Sequence, residues 1–174
     1  MPSTLGPLYK QPDNLSLLSS SRFKLDISKL NYVDYFCQQA NIPGISIPAA
    51  EFATPKRNLP VTGTKISFDE LSIEFLLDED LANYRELQTW IISQSDYLDK
   101  NWYDNLAKEK LTALYSDATL HITTNASNPN LKVNFKDIFP ISLSSIVFNT
   151  TVDDSSYKTA SASFAYSYYE IIKL

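Results

Sequence analysis

Apolar and polar residues alternate along several short segments of the chain, and a period of two is typical of half-buried β-strands. The clearest segment is 22–28, where Phe23, Leu25 and Ile27 would share one face. A strand over 65–77 keeps its apolar residues on one side only if it contains a bulge near position 69. Similar patterns predict strands over 33–39, 118–124, 131–139, 144–152 and 159–172.

One segment has the period of a helix instead. Its apolar stripe consists of Leu81, Tyr84, Leu87 and Ile91, with Trp90 at the edge. The acidic residues 78–80 precede it, and Asp78 is the expected N-cap. We therefore predict a mainly β protein of two packed antiparallel sheets, a sandwich or barrel of about seven or eight strands, with one flanking α-helix.

The first 21 residues follow neither period. Prolines interrupt them at regular intervals, and their leucines make them more apolar than a typical disordered tail. We expect residues 1–21 to form an N-terminal arm, either loose or docked on a neighbour. Residues 22–174 would form one β domain.

Residues 48–63 stand out as a polar, basic loop between two predicted strands. Its three prolines cannot donate hydrogen bonds to a central ladder. Lys56 and Arg57 near its middle form the only adjacent basic pair of the chain, flanked by apolar Phe52 and Leu59. This loop suits an electrostatic contact with an acidic neighbouring surface, and such a contact would be sensitive to salt.

The charge and cysteine content narrow the function classes. A formal net charge of −5 argues against a surface that holds nucleic acid, which needs clustered Lys and Arg. The single cysteine, Cys37, excludes an intrachain disulfide and is expected to be a core residue rather than a reactive thiol. The chain begins without a recognisable signal peptide, and no apolar run is long enough to cross a membrane.

Candidate catalytic chemistry is sparse. His121 is the only histidine, so one chain cannot build a triad or a multi-histidine metal site. The acids at 78–80 are explained by helix capping and those at 153–154 by a turn. No glycine-rich phosphate loop exists. We expect no catalytic, cofactor-binding or metal site, and no enzymatic activity.

Three segments resemble the tail tube proteins of contractile-tailed, T4-type bacteriophages. The first is the basic loop 47–63, which ends in a Val-x-Gly turn. The second is 68–75 followed by the helix to Trp90. The third is 133–140, continued by the terminal strand 162–170. Their order and spacing carry the similarity, whereas segments 1–21 and 92–130 depart from it.

The resemblance implies a structural role. Six copies would form a ring, stacked rings would form a tube, and inner strands of all subunits would join into one large barrel without exposed edges. The tube would conduct DNA without binding it specifically, and would contact the sheath, baseplate and tail-terminator proteins of a virion tail assembled in the host cytoplasm. The basic loop would reach the adjacent ring through Pro48, Glu51, Phe52, Lys56, Arg57, Asn58, Leu59 and Gly63.

Several alternatives remain open at this point. Ser72, Glu74, Asn149 and Thr151 are candidates for the lumen, although an ordinary solvent face explains them equally well. The ring could be a specialised baseplate component that starts the tube, or the tube of a bacterial contractile injection or type VI secretion system. A β-sandwich that binds a ligand on its own is the alternative from a different functional class.

Overall fold

The computed structural model describes residues 15–30, 32–95, 114–149 and 157–174. Its body is a seven-stranded antiparallel sheet folded into two layers, and two short strand pairs project from it. The helices are α1 (Tyr32–Phe36) and α2 (Ala82–Ser95). The strands are β1 (Phe23–Ile27), β2 (Cys37–Ala40), β3 (Ile45–Ser46), β4 (Ala50–Ala53), β5 (Asn58–Val61), β6 (Ser67–Phe68), β7 (Leu71–Leu76), β8 (Ser116–Thr123), β9 (Pro129–Leu143), β10 (Thr159–Ala165) and β11 (Tyr168–Lys173).

The long strand β9 belongs to both layers. Its first half pairs with β8 on one side and β11 on the other, which gives the layer β1-β8-β9-β11. Its second half pairs with β10, which gives the layer β9-β10-β7-β2. The bend between the halves lies at Asp137, whose φ of 55° is left-handed. β10 and β11 both pair with β9, and Tyr166 and Ser167 separate them beside Asp137. The chain therefore passes from one layer to the other at this point as well.

The core fills the space between the layers. Phe135 comes from β9, whereas Phe75 and Phe164 come from the second layer, and all three are fully buried. Helix α2 contributes Leu87 and Trp90, whose indole lies 6.1 Å from the Phe164 ring. This arrangement confirms the predicted mainly β class with two antiparallel layers and a flanking helix.

The strand predicted over 33–39 is wrong in its first half, since the chain forms the short helix α1 there. The Asp34 carboxylate accepts a hydrogen bond from the Ile27 backbone N–H at 2.8 Å, at the edge of β1. This tertiary contact holds the segment in a helix although Val, Tyr and Phe favour strands. Residues 37–40 form β2 as predicted.

The predicted cap of α2 is also wrong. The helix begins at Ala82, after a turn in which the Leu81 N–H donates to the Asp78 carbonyl at 3.0 Å. Leu81 itself has a φ of 53°. The acidic residues 78–80 therefore precede the helix and do not cap its first turn. The predicted stripe of α2 is confirmed at Leu87, which is buried, and at Tyr84, which packs partly buried against the core. Trp90 is buried instead of lying at the edge, and Asn83 is a buried residue that was not predicted.

Other strands begin or end at different residues from those predicted. Residues 144–149 are not a strand, because β10 already pairs with β9 and β7 on its two edges; the remainder of the predicted strand lies outside the described residues. β9 continues through Pro140, which lies next to a bulge in its pairing with β10. The single bulged strand predicted over 65–77 is wrong, because the chain leaves one sheet and enters another at residues 69–70, between β6 and β7. Leu71, Ile73 and Phe75 are buried beyond this break.

Candidate assembly interface

Residues 45–68 form a hairpin that projects from the body, and we refer to them as the projecting hairpin. Its base is the pair β3–β6, with Ile45 opposite Phe68. Its outer part is the pair β4–β5, in which every residue is exposed. The predicted basic loop is thus mostly a two-stranded ribbon.

The two faces of this ribbon differ in chemistry. Phe52 lies opposite Leu59, and Ala50 lies opposite Val61, so these four side chains share one face. Phe52 is 65% exposed and Val61 is 51% exposed. The other face is mixed, because Ala53 and Pro60 lie there beside Glu51 and Asn58. The Asn58 amide donates a hydrogen bond to the Glu51 carboxylate at 2.8 Å. The ribbon therefore presents an apolar stripe that stays exposed within the described part of the chain.

The tip carries the basic pair. The Thr54 N–H donates to the Arg57 carbonyl at 3.2 Å, which closes a tight turn around residues 55 and 56. Lys56 and Arg57 are exposed there, and neither pairs with a carboxylate among the described residues. Two positive charges thus stand at the end of the apolar stripe.

The two legs of the hairpin touch where the ribbon leaves its base. A Cβ atom added to Gly63 would lie 2.0 Å from the Pro48 carbonyl oxygen, so only glycine fits at this position. Pro48 and Gly63, both predicted as contact residues, therefore contact each other. Their contact sets the shape of the hairpin.

Two tyrosines at the corner of the body hold the root of the hairpin. The Tyr169 hydroxyl donates to the Pro43 carbonyl at 3.0 Å, just before β3. The Tyr166 hydroxyl donates to the Asp69 carbonyl at 2.8 Å, just after β6. Burial raises the pKa of Tyr166 to about 12, so this phenol remains a donor. Phe68 packs between the two rings at about 6 Å, which fixes both legs to the corner.

A second predicted feature, the polar strip, lies on the outer face of the second layer. Ser72 and Glu74 of β7 are opposite Ser163 and Ser161 of β10, respectively. Ser142 of β9 extends the same row. The polar strip thus consists of four hydroxyl groups and one carboxylate, and none of its five side chains is a lysine or arginine. Asn149 lies in the loop after β9 and is not on this face, whereas Thr151 lies outside the described residues.

The sequence interpretation missed three groups of this region. The apolar partners Ala50 and Val61 and the serines of β10 depend on strand register. The two anchoring tyrosines depend on a contact between distant segments. Only the alternation Ser161-Ala-Ser163 gave a signal, since it marks one face of β10 as polar.

Chemical reactivity adds little to this picture. Burial raises the pKa of the Cys37 thiol to about 11, so this thiol stays protonated at neutral pH. His121 lies on β8, opposite Lys132 of β9. Within the described residues, no helix is both long and apolar enough to span a membrane.

The fold and these surfaces define a class of protein: a two-layered β subunit whose projecting hairpin is suited to contact another protein. The model of the phage tail tube protein family matches residues 11–172. The chain therefore belongs to that family of structural tail proteins. This membership confirms the resemblance inferred from the three sequence segments.

Individual relatives agree with this assignment. The chain is 25% identical over 163 residues to the tail tube terminator protein of Enterobacteria phage T4, and the match covers 89% of each chain. It has the fold of a chain in the tube-terminating cap of the anti-feeding prophage, with a TM-score of 0.64, 12% identity and coverage of 98% of this chain and 100% of that one. A chain of the anti-feeding prophage baseplate gives the same TM-score with 10% identity, covering 90% of this chain and 96% of that one.

Proposed function

We propose that six copies of this protein form a ring at the end of the tail tube of a contractile tail, in the role of a tube terminator. The observation that carries this proposal is the projecting hairpin, whose apolar stripe and basic tip are exposed and uncovered by the residues that the structure describes. The hairpin joins the ring to the adjacent ring through Phe52, Leu59, Lys56 and Arg57. The terminal position is supported by the relation to the phage T4 terminator, which extends over nearly all of both chains.

The polar strip supports passage of DNA through the ring. Its hydroxyl groups and the Glu74 carboxylate offer no cation to a phosphate, so DNA can slide past without being held. In this arrangement Ser72 and Glu74 face the lumen together with Ser161 and Ser163. At the terminal position the ring contacts the last ring of the tube and the sheath of the virion tail, whereas contact with baseplate proteins belongs to the second candidate below.

Two measurements test the ring and its position. Native mass spectrometry and negative-stain images of the purified chain should show closed rings of six subunits, and persistent monomers at high concentration would contradict the proposal. Quantitative mass spectrometry of intact particles should then count six copies per tail. A count many times higher would instead support the repeated subunit of the tube.

The hairpin is tested by reversing its charge. Lys56→Glu combined with Arg57→Glu should leave the ring intact but weaken its attachment to tubes, because the basic tip would then repel an acidic neighbour. If the variant ring still attached to tubes with normal strength at moderate salt, the hairpin would not be part of the contact. The exposed Lys173→Glu serves as a control, because this lysine lies on β11 in the other layer.

A ring that starts the tube at the baseplate is the second candidate. It is favoured by the baseplate chain of the anti-feeding prophage, which has the same fold. Immunogold labelling of intact particles separates the two positions, since label would appear at opposite ends of the tail.

A further inference from the structure

Three side chains that can carry a positive charge lie side by side on the outer face of the layer β1-β8-β9-β11. His121 of β8 is opposite Lys24 of β1 on one side and opposite Lys132 of β9 on the other. Each of the three is followed along its strand by a buried residue, so their side chains point outward. We refer to these three residues as the basic row. It faces away from the polar strip, which lies on the outer face of the other layer.

This row is unfavourable within the chain itself. Like charges opposite one another on adjacent strands destabilise a sheet, and a protonated His121 faces a lysine on each side. Neither Lys24 nor Lys132 forms an ion pair within the described part of the chain. The chain has a net charge of −5, so a cluster of cations without partners is a departure from its general character.

The acids that share this face do not neutralise the row. Asp26 lies diagonal to His121 and interacts with a neighbouring carboxyl group, that of the α1 aspartate. Asp117 pairs with Lys136. Glu170 lies on β11 at the edge of the layer and forms no ion pair among the described residues. All three acids lie on the side of the row that leads to the corner of the body.

The layer ends on the other side of the row in hydroxyl and amide groups. The Arg22 guanidinium donates to the Ser127 hydroxyl of the β8–β9 turn, a contact that leaves its charge uncompensated. Beside it is a cavity of about 100 Å³, lined by residues 16–19 and by Thr123, Thr124, Asn125 and Asn130, none of which is acidic. We call the basic row, Arg22 and this cavity the basic end of the body.

We propose that the basic end binds an acidic segment of a partner protein. An extended segment with acids at alternate positions places carboxylates about 7 Å apart, which the flexible lysines of the row can match. The Arg22 guanidinium and the hydroxyl and amide groups of the cavity would donate to a further carboxylate. DNA is less suitable, because four cationic side chains are few for a phosphate backbone.

His121 makes this contact sensitive to pH. An imidazole gains a proton as the pH falls from about 8 to about 6. A bound carboxylate offsets the repulsion that Lys24 and Lys132 exert on the protonated ring, so protonation and binding favour each other. The partner is therefore held more tightly in mild acid.

Fluorescence anisotropy with the full-length chain tests the site. The probe is a labelled peptide of about ten residues that alternates Glu with Ser, and the same peptide with Gln in place of Glu is the neutral control, both at low salt where screening is weak. Lys24→Glu combined with Lys132→Glu should weaken binding of the acidic peptide about tenfold or more. The matched control is Lys65→Glu combined with Lys158→Glu, which changes the charge equally at two exposed lysines outside this layer and should alter binding less than about twofold.

Two further variants separate a binding role from a structural one. The unmodified chain should bind the acidic peptide about threefold more tightly at pH 6 than at pH 8, and His121→Gln should remove this difference. Lys24→Gln combined with Lys132→Gln should weaken binding but raise Tm at pH 6 by about 1–3 °C, because it removes the opposed charges. A lower Tm in this variant would mean that the lysines serve the fold, and would overturn the site.

The remaining outcomes are equally decisive. Equal binding of the Glu and Gln peptides would overturn the inference, and so would a DNA oligonucleotide of equal charge that binds the same residues more tightly. The inference uses the proposed ring only to place the basic end on its outside. Native mass spectrometry on the same samples reports the ring independently. Rings that do not bind the peptide would overturn the site alone, whereas monomers that bind it would overturn the ring alone.

Discussion

The body and the projecting hairpin are built on opposite principles although both are antiparallel β-structure. In the body, strands such as β7 bury every second residue between two layers and a helix. In the hairpin, β4 and β5 bury none. Burial of apolar surface stabilises the body. The hairpin is stabilised instead by its ladder hydrogen bonds, by the contact between Gly63 and Pro48, and by its two tyrosine anchors. Stability and the proposed assembly contact therefore lie in different parts of the chain, and mutations can separate them.

The largest expected effect lies in the body. Phe135→Ala should destabilise the protein by about 3–5 kcal/mol, because this ring is fully buried where the layers meet. Phe52→Ala in the hairpin should change the free energy of unfolding by no more than about 0.5 kcal/mol, since its ring is mostly exposed. Chemical denaturation followed by tryptophan fluorescence compares the two. Equal losses would contradict the division between body and hairpin.

Gly63→Ala should act on the hairpin with a cost of about 1–3 kcal/mol, because the added methyl group collides with the Pro48 carbonyl. Hydrogen exchange of the β4 and β5 amides should accelerate while that of β7 stays unchanged. Gly44→Ala is the matched control, as its methyl group meets only the end of the Asp69 side chain, which can rotate. Acceleration in both variants would point to a general loss of stability.

The combined Tyr166→Phe and Tyr169→Phe substitution should cost about 1 kcal/mol for each hydroxyl removed. The rings remain, so the loss should be confined to the hairpin root. The Asp69 amide, which donates to the Gly44 carbonyl, reports on it by hydrogen exchange. Tyr168→Phe on the exposed face of β11 should leave that amide unaffected. Unchanged exchange in the double variant would mean that Phe68 alone anchors the hairpin.

The smallest effect concerns a carboxyl group at the edge of the body. Burial raises the pKa of Asp34 from its ordinary 3.8 to about 7, with Asp26 and Glu86 adding to the shift. Because the folded protein holds this proton more tightly, its contribution to stability falls as pH rises from about 4 to about 7.

Asp34→Asn removes this pH dependence, since the amide stays neutral and can still accept from the Ile27 N–H. After allowance for partial exposure, a gain of about 1 kcal/mol is expected at pH 8, or about 2–4 °C in Tm. Little gain is expected near pH 4. Thermal melts at both pH values measure the difference, and a gain of equal size at both would assign it to packing instead of ionisation.

Sequence periodicity correctly predicted the strands that bury one face and expose the other. Leu25 and Ile27 of β1 and Ile73 and Phe75 of β7 alternate with polar residues and are buried as expected. It failed where a specific hydrogen bond or the strand order decides the structure. The Asp34 carboxylate holds α1 through the Ile27 N–H, and residues 144–149 find no open edge on β10. Apolar periodicity reports neither of these.

The candidate interface was predicted in composition but not in arrangement. The basic pair flanked by apolar residues marked residues 48–63 as a candidate contact, although the sequence analysis took them for a loop and not for a two-stranded ribbon. Which residues share a face depends on the register that places Ala50 opposite Val61.

The bend of β9 at Asp137 has a mechanical consequence. A single strand crosses from one layer to the other, and the tyrosines beside that bend hold both legs of the hairpin. A pull on the hairpin is therefore divided between the two layers and runs along their strands, where many ladder hydrogen bonds resist shear together. In the proposed ring, a load on the hairpin would reach both layers of each subunit through β9 and the two tyrosine anchors.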